Sequence, residues 1–323
     1  MKEWIIRTDH QNERLDKYLR RLLPQAGGGF LYRMLRKKNI TLNDKKAAGS
    51  ERVREGDVVR VWFSDATFEK FSRNEAVDRE FSMLKKQSVN LHILLEDEDI
   101  LCVDKPAGML SQRAGAEDVS LNEQIRSYLI QERGYSRDAF LKFRPAVMNR
   151  LDFGTSGIVL AAKTLVGART TSEWIRSHQL VKEYVCLVHG HFVSEGRMIS
   201  YLKKNETENM VSLTEESTPG SKRVETIFSR RKDYGRFSLL EASLITGKSH
   251  QIRAQLAAAG TPIVFDAKYG DSRADRRLRE VLAGTEGASY PGQLLHAHRL
   301  VLPDGRKVSS PIPSVFEQAG GRS

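Results

Sequence analysis

Only two cysteines occur in 323 residues. Cys102 and Cys186 lie inside apolar runs, "DILCVDK" and "YVCLVHG", with no C-x-x-C pair, which excludes a disulfide framework and a zinc cluster. No apolar run approaches the ~18 residues of a membrane helix. The start, "MKEWIIRTDHQNERLD", lacks the uncharged core of a signal peptide. A cytoplasmic protein with no membrane partner is expected. Also missing are G-x-x-x-x-G-K-[ST], a dinucleotide fingerprint after a strand, H-E-x-x-H and any His and Cys cluster. Thr246-Gly247-Lys248-Ser249 imitates the end of a phosphate loop but lacks its upstream glycine. These absences argue against a nucleotide-triphosphate enzyme, and no metal and no cofactor is expected.

What the chain does have is positive charge. A net charge of +11 and a pI near 9.6 make a polyanion the leading partner, since Lys and Arg gain affinity by displacing counterions from phosphates. With 40% hydrophobic and 29% charged residues the composition is that of a soluble globular protein, and the length suggests more than one domain.

The charge is uneven: residues 1–63 hold 15 Lys and Arg against 8 Asp and Glu. In "NERLDKYLRRLLP", Leu15, Leu19 and Leu22 share a helical face, and Pro24 ends the run. After the glycines at 27–29, "FLYRMLRKKNI" restarts a helix that buries Leu31, Met34 and Leu35. It presents Arg33, Arg36, Lys37 and Lys38 outward, as candidate RNA contacts. Turn signals at "LND" and "EGD" and the run "VVRVWF" complete a helix-helix-hairpin unit. This arrangement resembles the S-four-type (αL) RNA-binding module over about residues 14–63; an ordinary small domain with solvated basic helices would read the same way. Residues 64–90 show no sustained period and are expected to be a linker or extended connector.

Residues 91–323 read as a second domain. "LHILLEDEDILCVDKPAGML" gives two strands and an acidic turn, and "SGIVLAAK" and "KEYVCLVHG" are strands flanking a helix in "LVGARTTSEWIRSHQ". "RFSLLEASLITGKSHQIRAQLAAAG" is a strand, a turn and a helix stopped by Gly260. The expected class is α+β, with a mixed, largely antiparallel sheet behind a small α+β front domain. The charged, Gly-rich stretch 271–292 is expected to be a surface insertion.

Three polar residues stand out against this background: Asp152 in "NRLDFGTSG", Tyr184 in "KEYVCLVHG" and Arg253 in "TGKSHQIR". A carboxylate at a turn leading into a buried strand, aimed by an arginine, suits nucleophilic attack or proton transfer. Taken singly, each also fits a plainer role: an Asx-turn, a core aromatic, a solvated helix position.

Five ordered segments go further. "NRLDFGTSGIVLAAKT" resembles the H-R-L-D-x-x-T-S-G signature of the RluA-type pseudouridine synthases. "KEYVCLVHG" resembles their K-x-Y-x-x-x-V-x-G strand, and "TGKSHQIRAQLAAAGTPIVFDAKYG" their T-G-R-T-H-Q-I-R and G-x-P-I-x-G-D-x-x-Y-G segments. "DEDILCVDKPAGML" and "LLHAHRLVLP" are similar to the opening strand pair and the closing L-H-A segment. The resemblance implies that Asp152 attacks the target nucleoside so that uracil detaches, turns and rejoins through carbon. It implies that Arg150 fills the gap left by the flipped uridine, that Tyr184 stacks on the base and assists proton loss, and that Arg253 steadies the aspartate.

The function so implied is isomerisation of uridine to pseudouridine in structured RNA, ribosomal RNA of the large subunit foremost and transfer RNA next, by a monomer. The alternative is a non-catalytic RNA-binding or ribosome-associated factor. The chain departs from the pattern at Asn149, which replaces His, at Lys248 and Ser249, which replace Arg and Thr, and at Val264-Phe265, where glycine is usual before Asp266.

Overall fold

The computed structural model describes residues 1–73, 75–115, 118–205, 210–214 and 216–321. Contacts cluster into two units, one of residues 1–89, 124–145 and 164–166, the other of 90–123, 146–163 and 167–323.

The first unit carries a four-stranded sheet in the order β1 (Lys2–Ile5), β4 (Val58–Val61), β2 (Ile40–Leu42), β3 (Lys45–Lys46). Asn43 and Asp44 join β2 to β3 with φ of 51° and 61°. Positive φ at both turn positions is the two-residue hairpin geometry that Asn and Asp tolerate best. Helices α1 (Leu15–Leu22) and α2 (Gly28–Arg36) pack Leu15, Leu19, Leu31 and Leu35 into the same core as Ile40, Val59 and Val61. Arg33, Arg36, Lys37 and Lys38 are exposed, and none has a carboxylate partner among the described residues.

The stretch expected to be an extended connector is instead helical, as α3 (Asp65–Ser72) and α4 (Glu75–Leu84). Ser64 caps α3 by accepting from the Thr67 N–H. Val77 and Leu84 of α4 are buried with Phe81 packed beside them, against Ile130 of α5 (Leu121–Glu132) and Phe140 of α6 (Arg137–Lys142). That apolar face has too few residues to be read without its partners, which come about 50 residues later.

The second unit is built on an eleven-stranded sheet among the described residues. Its main path runs β11 (Met210–Thr214), β10 (Gly196–Asn205), β12 (Lys222–Asp233), β13 (Phe237–Leu244), β9 (Val181–His189), β14 (Leu295–Val301), β8 (Ser156–Ala162), β6 (Ile100–Lys105), β5 (His92–Glu96). β7 (Ala146–Val147) pairs with β8 and β15 (Lys307–Ser309) with β14. All pairings are antiparallel except β14 with β8. That crossing is close: a Cβ on Gly157, whose φ is +109°, would lie 2.3 Å from the Ala297 carbonyl oxygen. Glycine is therefore required there by space as well as by backbone. The α+β class and the largely antiparallel sheet agree with the sequence reading.

Among the described residues, helices α7 (Leu165–Arg176, from Gly167 on), α8 (Gln251–Ala258), α9 (Ser272–Val281) and α10 (Val315–Gly320) belong to the second unit. The α9 helix corrects the expectation of a surface insertion over 271–292. Leu278 and Leu282 enter the core around Val264, Phe265 and Phe316, and Asp271 caps the helix by accepting from the Arg273 and Ala274 N–H groups. Most of its charged residues lie on the outer face, but Asp275 is buried, accepting the Phe265 N–H at 2.9 Å, and Arg279 lies over the Phe265 ring.

Candidate active site

Asp152 occupies the turn between β7 and β8. The turn is closed by the Thr155 N–H donating to the Asp152 carbonyl at 3.0 Å. Buried Leu151 is pinned just before it: the Leu151 N–H donates to Ser111 Oγ at 3.1 Å, and that hydroxyl donates to the Leu151 carbonyl at 2.8 Å. Fully buried Lys105, at the end of β6, donates to the carbonyls of Pro106, Met109 and Phe153 at 2.9, 2.8 and 3.4 Å. Burial pulls the Lys105 ammonium down to about 8, against the opposing pull of the Asp152 and Asp104 charges.

Helix α8 supplies the partner of Asp152. Gln251 and Gln255, one turn apart, anchor the helix to β10 and β12 through Thr226 Oγ1 (2.9 and 2.6 Å), the Glu225 carbonyl (3.0 Å) and Ser200 Oγ (3.0 Å). Arg253 lies midway between them and so projects from the other side of the helix. It is 5% exposed, not the solvated position that sequence alone allowed. Its Nη1 donates to Asp152 Oδ2 at 2.6 Å, while Nε and Nη2 grip the two oxygens of Asp266 at 2.7 Å each.

Asp266 also accepts the N–H groups of Lys268 (2.9 Å) and Tyr269 (3.1 Å). Burial raises the Asp266 carboxyl, but the Arg253 guanidinium and the two N–H donors outweigh it and hold the group below the usual range. For Arg253 burial acts downward and the two carboxylates outweigh it, raising its pKa further. One guanidinium thus bridges a buried carboxylate and a partly exposed one. The Asp152 side chain keeps 30% of its surface, and its Oδ1 makes no hydrogen bond among the described residues.

Tyr184 lies on β9 between Ala242 and Ala297 and is 8% exposed. Burial, and then the Asp152 charge, push its phenol well above the usual value, so the hydroxyl is protonated across the neutral range. His250, in the left-handed conformation before α8, directs Nε2 to within 3.9 Å of Asp152 Oδ2 and bonds the Tyr269 hydroxyl through Nδ1 at 2.9 Å. Burial lowers its pKa.

Arg150 stands exposed two residues before Asp152, without an ion-pair partner among the described residues, and Phe153 is 52% exposed on the other side. Asn149 has a structural part: its Oδ1 accepts the Leu160 N–H of β8 at 2.7 Å.

The sequence singled out Asp152, Tyr184, Arg253 and Arg150, and the first three converge. It passed over Asp266, Lys105, His250 and Tyr269. Asp266 and Tyr269 fall in the quoted "FDAKYG" segment, and Lys105 was marked only by ending an apolar strand.

Residues 99–258 match the RNA pseudouridylate synthase family. A ribosomal large subunit pseudouridine synthase C of Haemophilus ducreyi is 30% identical over 92% of this chain and 86% of its own length. The protein of the same name from Vibrio cholerae is 31% identical over 97% and 94%. The chain belongs to the RNA pseudouridylate synthase family, in its RluA-type branch. Membership makes it a pseudouridine synthase, an isomerase acting on uridine in RNA. An uncharacterised RNA pseudouridine synthase of Mycoplasma pneumoniae is 29% identical over 98% of this chain and 93% of its own. The fold agrees with the human RNA pseudouridylate synthase domain containing 4, at a TM-score of 0.57 and 20% identity, over 76% of this chain and 96% of that one. No helix among the described residues is long and apolar enough to cross a membrane.

Proposed function

We propose that this synthase acts on large-subunit ribosomal RNA by flipping a uridine out of the structure and attacking it with Asp152. The observation that carries the reading is the divided Asp152 carboxylate. Oδ2 is held by Arg253, whose plane is fixed by Asp266, and Oδ1, which has no hydrogen-bond partner among the described residues, can meet a substrate. The isomerisation breaks one glycosidic bond and makes another, with no redox change and no net water. It needs an oriented carboxylate, a ring-stacking surface and a pocket that offsets the few kcal/mol of unstacking a base.

Tyr184 offers that ring. With its hydroxyl protonated it acts by stacking first, and it takes up a proton only if the bound intermediate lowers its pKa. Arg150, exposed beside the turn and without an ion-pair partner among the described residues, enters the RNA where the uridine leaves. The choice of ribosomal RNA rests on the relatives named for the large subunit.

Residues 1–63 act as the RNA-binding front domain, with Arg33, Arg36, Lys37 and Lys38 positioning phosphates rather than reading bases. The helices α3 and α4 that follow belong to the same contact unit as residues 1–63, whereas Asp152, Tyr184 and Arg253 all fall in the other unit. A protein that only bound RNA would have no use for a buried arginine clamped between two carboxylates.

The test is Asp152→Asn. Tritium release from carbon 5 of labelled uridine in ribosomal RNA should vanish while RNA affinity stays within about threefold, because the amide keeps the shape and loses the nucleophile. Equal release from variant and wild type refutes the assignment.

A further inference from the structure

Beside the catalytic face lies a pair of cations with no counterion among the described residues. Lys182 stands two residues before Tyr184 on β9, so both side chains leave the same face of the sheet, ~7 Å apart along the strand. Lys182 is directly opposite Leu244 of β13, which is opposite Thr226 of β12. Thr226 bonds both glutamines of α8, so this row faces the helix that carries Arg253.

The turn into α8 then folds over the row. A Cβ on Gly247 would lie 3.2 Å from the Lys182 ammonium. The turn is held by Gln251 Oε1, which accepts from Thr246 Oγ1 at 3.0 Å and from the Lys248 N–H at 3.1 Å. Lys248 follows at once, close enough for its charge to add to burial in lowering Lys182.

Neither ammonium meets a carboxylate among the described residues, and the acidic groups next to them are committed elsewhere. Glu183, on the opposite face, accepts from Arg299 at 3.1 Å. Glu225, whose N–H donates to Thr246 Oγ1, pairs with Arg197 and Arg223 at 2.9 and 2.7 Å. Two like charges near each other, without a counterion among the described residues, raise the energy of the free protein, and an anion placed between them offsets that penalty. The Tyr184 row already faces the substrate, and the anion that an RNA substrate brings to such a place is a phosphodiester.

We propose that Lys182 and Lys248 form a phosphate subsite gripping the RNA backbone next to the uridine at Asp152. The inference rests on the uridine-isomerase reading of the site and adds a binding group to it. Because the phosphate is bound in ground state and transition state alike, the pair acts on KM far more than on kcat.

The experiment measures tritium release from large-subunit ribosomal RNA prepared from cells lacking the gene, at several salt concentrations. It compares wild type with Lys182→Gln, Lys248→Gln, the double variant and Lys182→Arg. The double variant should raise KM about tenfold, the loss of one charge-assisted contact. It should also flatten the slope of log kcat/KM against log salt by about 0.7–0.9, one phosphate fewer. Lys182→Arg should restore most of the affinity. Wild-type KM and salt slope in the double variant overturn the proposal, as does a loss confined to kcat. If wild type itself releases no tritium, the isomerase reading fails separately. The subsite is then decided by equilibrium binding of the same RNA, where an unchanged slope overturns it.

Discussion

Asp266→Asn separates orientation from chemistry. Asp266 touches no solvent, holds Arg253 through two 2.7 Å bonds and accepts two further N–H groups. The amide conserves volume and one acceptor but turns an N–H toward the guanidinium, so one charge-assisted bond becomes a donor facing a donor. Losing that bond costs about 1.5–3 kcal/mol, and the unpaired buried N–H adds about 1–3. The sum agrees with the ~3–5 kcal/mol expected for breaking a buried pair. The melting midpoint of the unit that holds Asp266 should fall by roughly 6–20 °C.

The effect on rate follows from geometry. Arg253 would still neutralise Asp152, but its plane would no longer be fixed, and a displacement of order 1 Å at the reacting oxygen costs about 10²-fold in kcat. Single-turnover tritium release, measured below the melting range beside an RNA-binding titration, should show that loss with affinity unchanged. A kcat within twofold of wild type, with the melting shift present, would refute the idea that Asp266 sets the aim of Arg253.

Two more predictions concern pH and salt. Burial lowers His296, whose Nδ1 meets Ser156 Oγ at 2.9 Å, to about 4. The unfolded chain therefore takes up the proton first. The stabilisation, about 3 kcal/mol, is complete above pH 6.5 and is lost as pH falls toward 4; urea unfolding at stepped pH should show this, and His296→Gln should flatten it. Replacing Arg33, Arg36, Lys37 and Lys38 together by Gln should weaken RNA binding and reduce its salt slope by up to about 3, with the single-turnover rate at saturating RNA preserved; an unchanged slope means that these exposed cations touch no phosphate.

Legibility followed the range of the interactions. Strands such as β8 and β9 announce themselves because both faces are apolar, and α8 because turn, period and Gly260 agree locally. Asp152, Tyr184 and Arg253 were found through family segments, since nothing in the spacing of positions 152, 184 and 253 predicts a 2.6 Å contact across 101 residues. The α4 helix was missed because the residues that bury its apolar face lie in α5 and α6. Lys105 was missed because a lysine inside a core is stabilised by carbonyls that only the folded turn assembles.

Phe265 shows how one such long-range arrangement rewrites a local rule. The related pattern has glycine before the aspartate, and Phe265 indeed adopts φ +62°, a conformation costing a side-chain-bearing residue about 1–2 kcal/mol. The cost is met by α9. Arg279 lies 4.1 Å over the Phe265 ring, Asp275 accepts the Phe265 N–H at 2.9 Å and also bonds His189 at 2.8 Å, and the ring is 5% exposed. Burying a phenyl ring contributes about 1.5–3 kcal/mol and the cation over it about 0.5–2, enough to offset the strain. Because Phe265 directly precedes Asp266, the same contacts fix the direction from which Asp266 holds Arg253, and through it Asp152. The α9 helix, which in sequence looks like a charged excursion, thus supports the Asp152 carboxylate from behind.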